Sequence, residues 1–262
     1  MLLHAEVGGD ASGPSVVLLH GLMGSAESWH ELVPLLGSQE FRVVALDLPG
    51  HGLSPRDPAL TVASAAASVV ETVRALGGGA PMFAVGHSYG GSVLAEAADA
   101  LGAGTAVYVD AGLAIEGGAD RRSLTAQYVL VAGERSAASL QARSEYTQGR
   151  AVREARAAAR FDAATSASIS CGDALAWTPS PGSIVVRASP SRFVPDALAA
   201  AWSERGVDVR SIPHAAHTLW YSHPDAFVAA LPELFAPRPV SPSGRANGRF
   251  AGSGRTNGRS RR

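Results

Sequence analysis

The chain of 262 residues has no lysine; all 22 of its basic residues are arginine. It has a single cysteine, Cys171. An internal disulfide is therefore impossible, and a zinc site built on cysteines is excluded. Long apolar runs are missing as well. None reaches the ~18 residues that a membrane-crossing helix needs, so no membrane partner is expected. The N-terminus, Met1 to Glu6, lacks a basic segment followed by an apolar stretch. No secretory signal is expected, and a cytoplasmic location is. Formal net charge is −1, which excludes a uniformly basic nucleic-acid binder. Charged residues make up only 17% and apolar ones 46%. That is ample core material, it argues against wholesale disorder, and the length suits one large domain or two small ones.

One composition shift is sharp. Residues 237–262 are almost entirely Pro, Gly, Ser, Asn and Arg, with seven arginines and no acid. Residues 1–236 keep 15 arginines against 23 acids. With so few apolar side chains the tail cannot offset its ordering entropy, and it reads as a disordered basic segment. Such a segment can meet an acidic surface, or it can be an unselected extension.

The rest alternates short apolar runs with helical patterns. Strands are expected at Val16–His20, Phe41–Asp47, Met82–Gly86, Ala106–Asp110, Ile184–Arg187 and Val207–Ile212, with Leu2–Val7 as an antiparallel edge. Helices are expected at Ser28–Leu36, Thr61–Leu76, Tyr89–Leu101, Pro195–Arg205 and Pro224–Phe235. Continuous apolar strands alternating with helices indicate an α/β fold, a mostly parallel sheet with helices on both faces. The alternation breaks between Asp110 and Ser183. A structureless loop of that length is improbable, so residues 111–183 read as a helical cap inserted at the carboxyl edge of a core made of 1–110 and 184–236.

The chemistry concentrates in Gly86-His87-Ser88-Tyr89-Gly90-Gly91. A strand runs straight in and an Ala-rich helix runs straight out. A turn that tight strains its central residue, and small neighbours at Gly86 and Gly90 relieve the crowding. Ser88 is thereby held out above the sheet. A serine hydroxyl needs a base to act as a nucleophile at neutral pH. His217, in the loop after the last strand, is the candidate, with His214 as its rival; His20, His51 and His87 read as structural. A developing oxyanion needs preorganised donors. The Tyr89 backbone N–H stands at a helix start, and the loop Gly21-Leu22-Met23-Gly24 offers the Leu22 N–H, or the Met23 N–H as runner-up.

Taken together, His20-Gly21 with Gly24-Ser25, Asp47-Leu48-Pro49-Gly50-His51-Gly52-Leu53-Ser54, the serine motif and the late His217 ahead of His223-Pro224 resemble the α/β-hydrolase superfamily, over about residues 1–236. The resemblance implies an eight-stranded, mostly parallel sheet with a small helical cap after strand six of the family's count. It implies Ser88 as nucleophile, His217 as base, and Tyr89 with Leu22 as the oxyanion hole. The Asp47–Ser54 motif is implied to shape a loop beside the site. One position departs from the pattern. The family's usual acid, followed by a proline four residues on, falls at Ser191 here, with Pro195 in place. Asp110, at the end of strand six, then becomes the expected acid, and the order Ser88, Asp110, His217 is kept. Asp173, Asp196 or a dyad without an acid are the alternatives.

These residues lead to an expected serine hydrolase without metal or cofactor, acting on an ester, lactone or thioester of a mainly apolar small molecule. Leu130, Leu140, Phe161, Leu175 and Trp177 of the cap, with Trp220, are the expected apolar lining; Trp177 and Trp220 are the candidate substrate-binding residues. The same machinery could serve a natural-product tailoring enzyme, by acyl elimination or transfer, or a ligand receptor. A serine at the elbow argues against the resembling epoxide hydrolases and haloalkane dehalogenases, which use Asp there.

Overall fold

The computed structural model describes residues 1–77 and 79–237. The expectation of a disordered tail falls almost wholly outside them. Seven strands form the main sheet: β1 (Ala5–Gly9), β2 (Ser15–Leu19), β3 (Arg42–Leu46), β4 (Phe83–His87), β5 (Thr105–Val109), β8 (Ile184–Ser189) and β9 (Asp208–Pro213), in the order β1-β3-β2-β4-β5-β8-β9. Only β1 runs antiparallel, pairing Val7 with Val44 on β3. The other pairs are parallel.

The expected count of eight strands is therefore corrected to seven. The chain ahead of β2 has room for one strand, because Asp10 to Gly13 is spent on a turn. In it Gly13 N–H donates to the Asp10 carbonyl at 3.1 Å and Ser12 N–H to the Asp10 carboxylate at 2.8 Å. Two further short strands, β6 (Ala114–Ile115) and β7 (Leu175–Ala176), pair with each other away from the main sheet.

Side chains alternate across each strand and build two cores. Val17, Leu19, Val44, Leu46, Ala84 and Tyr108 face one side, packed against α2 (Val62–Ala75), α3 (Tyr89–Leu101) and α8 (Asp196–Glu204). Val16, Leu18, Val43, Ala45, Val85, Val107 and Val186 face the other. That side is covered by a 3-10 turn (Ala26–Trp29), α1 (Leu32–Ser38), α9 (Leu219–Ser222), α10 (Pro224–Ala229) and α11 (Pro232–Phe235). Two expected helices are broken. Ser28–Leu36 starts as the 3-10 turn, and Pro224–Phe235 is interrupted where Pro232 can neither donate nor continue a helix.

Between β5 and β8 the chain leaves the sheet and forms α4 (Arg121–Glu134), α5 (Ala137–Gln141), α6 (Gln148–Arg160) and α7 (Ala163–Ser168). α6 docks on the core with Ala151, Glu154, Ala157 and Ala158 buried. Beside this stripe Arg150 forks onto Glu31, at 2.8 and 2.7 Å, and donates to the Tyr221 carbonyl. α4 buries none of its residues.

Candidate active site

Four non-glycine residues with positive φ stand just beyond strands of the sheet, at their carboxyl ends: Met23 (63°) after β2, Ser88 (52°) after β4, Asp110 (44°) after β5 and His214 (59°) after β9. Strained backbone of this kind persists only where the surroundings over-determine it. At Ser88 they do. Its N–H donates to the Val109 carbonyl at 3.0 Å, and its carbonyl accepts from Gly91 N–H at 2.9 Å. A Cβ on Gly86 would lie 2.5 Å from the Gly90 carbonyl oxygen, and one on Gly90 2.4 Å from the Leu19 carbonyl oxygen. Glycine is therefore required at both places for the turn to close.

Asp110 is buried, and both of its carboxylate oxygens are engaged. Oδ2 lies 2.7 Å from His217 Nδ1; Oδ1 accepts from Ser191 Oγ at 2.7 Å and from Ala188 N–H at 3.2 Å. Burial by itself would raise the carboxyl. The hydrogen bonds from His217 and Ser191, the His217 charge and the Ala188 amide outweigh it and hold the group below its usual range. An ionised Asp110 fixes the tautomer with the proton on Nδ1, which leaves Nε2 as the acceptor. The imidazole is clamped further by stacking on Phe193, with ring centroids 4.0 Å apart. His87 Nε2 donates to the His217 carbonyl at 3.0 Å.

The rival candidates lie elsewhere. His214 and Asp173 are exposed. Asp196 is exposed and ion-paired to Arg187. His20 is buried and braces the loop after β2: Nδ1 donates to the Gly21 carbonyl at 2.7 Å and Nε2 accepts from Leu48 N–H at 3.0 Å. His51 donates to the Pro49 carbonyl at 3.0 Å. Asp47 ties the same loops together by accepting from Ala26 N–H, Leu53 N–H and His4 Nδ1. Among the described residues the Leu22 and Tyr89 backbone N–H groups meet no protein acceptor. Tyr89 N–H opens α3, where the helix dipole favours negative charge.

Two cavities meet at Ser88, Leu22 and Phe193. The first, about 290 Å³, is also lined by His217, His87, Trp220, Arg135, Arg143 and Glu154. The second, about 210 Å³, is also lined by Tyr89, Ile115, Tyr128, Ser166, Ile169 and Gly112.

Of the expected lining residues, Trp220 alone borders either cavity among the described residues. Trp220 lines the first cavity, with its Nε1 donating to the Ser28 carbonyl at 3.1 Å. Trp177 lines neither. Its backbone N–H is held by the Leu113 carbonyl and its indole N–H by Glu96 on α3, so the ring is turned to the outer face of that helix. Leu130 and Leu175 are exposed, and Leu140 and Phe161 are spent in packing. Phe193, Tyr128, Arg135, Arg143 and Glu154 escaped the sequence reading. The signal available for Glu154 was an acid on the Ala-rich stripe of α6.

A serine, a buried carboxylate and a histidine in this chain order, beside two backbone donors without a protein acceptor, can carry out nucleophilic acyl chemistry. The comparisons with known proteins agree at the level of the family. A model of the alpha/beta hydrolase family matches residues 16–230. The chain belongs to that family. Its curated relatives match only in part. A pimeloyl-[acyl-carrier protein] methyl ester esterase of Methylococcus capsulatus is 41% identical over 86 residues, 33% of this chain and 32% of the relative. Epoxide hydrolase B of Mycobacterium tuberculosis is 37% identical over 87 residues, 32% of this chain and 24% of the relative. The matches thus span about a third or less of these relatives. Solved structures align over nearly the whole fold. A bromoperoxidase from Bacillus anthracis has a TM-score of 0.69 at 18% identity, covering 88% of this chain and 94% of its own. An esterase from Rhodococcus sp. ECU1013 has a TM-score of 0.66 at 19% identity, covering 89% and 94%. At such identities the likeness is one of fold. The relatives that the chain matches thus include both an esterase and an epoxide hydrolase. No described helix is long and apolar enough to cross a membrane, and no described cluster of three His, Cys, Asp or Glu could hold a metal ion.

Proposed function

We propose that this hydrolase cleaves an ester, lactone or thioester of a mainly apolar small molecule through an acyl group carried on Ser88. The observation that carries the reading is the strained Ser88 opening into the cavity of His217, whose Nδ1 lies 2.7 Å from the buried Asp110 carboxylate. Ser88 Oγ attacks the acyl carbon while its proton passes to His217 Nε2. The oxyanion is met by the Leu22 and Tyr89 N–H groups. The bond to the leaving oxygen or sulfur then breaks, and that atom takes the proton from His217. Water adds to the acyl-serine with its proton on His217, the Ser88 ester bond breaks, and the proton returns to Oγ. Asp110 keeps the imidazole oriented and stabilises imidazolium throughout. The esterase among the relatives supports acyl chemistry. A serine at the elbow favours it over epoxide opening.

A fluorophosphonate probe tests the reading. The expected result is one adduct, mapped to Ser88, and loss of ester turnover by at least ~10³ in a folded Ser88→Ala protein. Labelling elsewhere, or near-normal turnover in that variant, overturns the covalent mechanism.

A further inference from the structure

Ser88 divides two chambers, one lined by arginines and one without them, and the position of His217 says which arm of a substrate enters each. His217 must return its proton to the leaving atom, so the leaving arm lies in the chamber that His217 lines. The acyl arm falls to the other, where Tyr89, Ile115, Ile169 and Phe193 make a small, mainly apolar space. Both arginines belong to the leaving-arm chamber, and the acyl chamber has none.

We infer that Arg135 and Arg143 form an anion-recognition site for the leaving arm, so that the preferred substrate joins a short apolar acyl group to an alcohol or thiol bearing a carboxylate or phosphate. This rests on the serine-hydrolase reading above.

The electrostatics of the lining support it. Two arginines face one carboxylate, Glu154. That carboxylate is consumed by its neighbours. Ser28 Oγ and Tyr221 OH donate to Oε1 at 2.8 and 3.0 Å, and Arg135 Nη2 donates to Oε2 at 3.2 Å. Glu154 thus holds Arg135 by its Nη2. The buried Nε of Arg135 has no acceptor among the described residues. A buried guanidinium nitrogen without an acceptor is costly unless something occupies the site. Arg143 lies over the Tyr146 ring at 5.1 Å and gives Nη2 to Glu145. A guanidinium has five N–H donors, and its planar fork suits carboxylate and phosphate oxygens. Each arginine therefore keeps donors for a ligand while the aromatic and acidic partners fix its plane. In the sequence, both lie between the last turn of α4 and the start of α6, in the stretch that joins the inserted helices over the site.

The test compares 4-acetoxybenzoate with its neutral methyl ester, and 4-acetoxyphenyl phosphate as a second anion. They are run on the full chain and on Arg135→Met, Arg143→Met and Arg143→Lys. The readout is the ratio of kcat/KM for anionic over neutral ester. It should fall about tenfold or more in Arg143→Met, mainly through KM, and be partly kept by Arg143→Lys, as for a charged hydrogen-bonding partner. If Arg135→Met does not fold, because Glu154 is left buried and unpaired, the half-exposed Arg143 still decides. Turnover of all three esters with a ratio that no arginine substitution moves overturns the inference. The two anionic esters distinguish carboxylate from phosphate. Calorimetry of 4-hydroxybenzoate and phenyl phosphate against phenol needs no catalysis. If no ester is turned over, the serine reading falls. The anion site then stands if both anions, or either, bind more tightly than phenol and lose that advantage in Arg143→Met, and it is overturned if they bind no better.

Discussion

Ser191 occupies the position where the family pattern would put an acid, and the structure shows what it does there: its hydroxyl donates to Asp110 Oδ1 at 2.7 Å and accepts the Phe193 and Val194 amides, both at 3.0 Å. The two candidate acid positions are thus in hydrogen-bond contact with each other. If Asp110 orients His217, Asp110→Asn should keep the fold and lower ester turnover by up to ~10⁴, as loss of an orienting carboxylate does in serine proteases. Retention of more than about a third of the activity, under ~1 kcal/mol of transition-state stabilisation, would refute the role. Moving the charge is the sharper measurement. Ser191→Asp in an Asp110→Ala background should recover part of the lost kcat. Ser191→Asp alone should lower activity, because two carboxylates in hydrogen-bond contact cannot both ionise without penalty. At this scale Ser88, Asp110 and His217 were legible as residue types in chain order. That Ser191 braces Asp110 was not, since the contact spans 81 positions.

Between β4 and α3 the chain reverses so closely that three glycines are pressed against neighbouring atoms. A Cβ on Gly91 would meet Ala111 Cβ at 2.4 Å, and the obstacles at Gly86 and Gly90 are backbone, which cannot swing aside. Gly90→Ala should therefore destabilise by about 2 kcal/mol or more, with activity falling alongside it, by denaturant titration. Gly133→Ala on α4 is the counterpart. Nothing lies within 4 Å of its added Cβ, and replacing a helical glycine should stabilise by up to about 1 kcal/mol. Equal effects from the two changes would contradict the crowding argument. The parallel strands were readable to within a residue or two, because a parallel sheet covered on both faces demands uninterrupted apolar runs, whereas the edge strand expected at Leu2–Val7 lies at Ala5–Gly9. The inserted helices were not. α4 carries Val129, Leu130 and Val131 exposed, and α6 buries a glutamate, so neither follows the rule that apolar side chains mark the buried face.

Buried neutral histidines set how the whole molecule responds to acid. Burial, with like charge from neighbouring histidines, lowers His51 and His87 from 6.5 to about 3, and burial lowers His20 as well. Between pH 3 and 6.5 the unfolded chain binds protons at His51 and His87 that the folded one refuses. Their contribution to stability is therefore complete above pH 6.5 and declines as the pH falls toward 3, by up to about 1.4 kcal/mol per pH unit for each histidine. Asp110, held below its usual value, adds to the loss at the acid end. Unfolding free energy from denaturant curves should accordingly drop between pH 7 and 5, and His87→Gln should flatten that slope whatever it does to the absolute stability. A flat profile over this range would show that the three imidazoles are not kept neutral by the fold.

Order along the chain was enough for the layered α/β architecture, because apolar runs, glycine spacing and the sequence of motifs are local properties. It was enough, too, to bring Ser88, Asp110 and His217 to one edge, since parallel strands point all their carboxyl ends the same way. Only the tertiary structure decided what surrounds them. It turned Trp177 outward to Glu96 and brought Phe193 onto the His217 ring. It placed Arg135, Arg143 and Glu154 in the chamber beside Ser88. Those placements depend on how the helices between β5 and β8 dock on the core. Their contacts join residues more than a hundred positions apart, such as Glu154 with Ser28 and Arg150 with Glu31, and no local periodicity encodes such pairs.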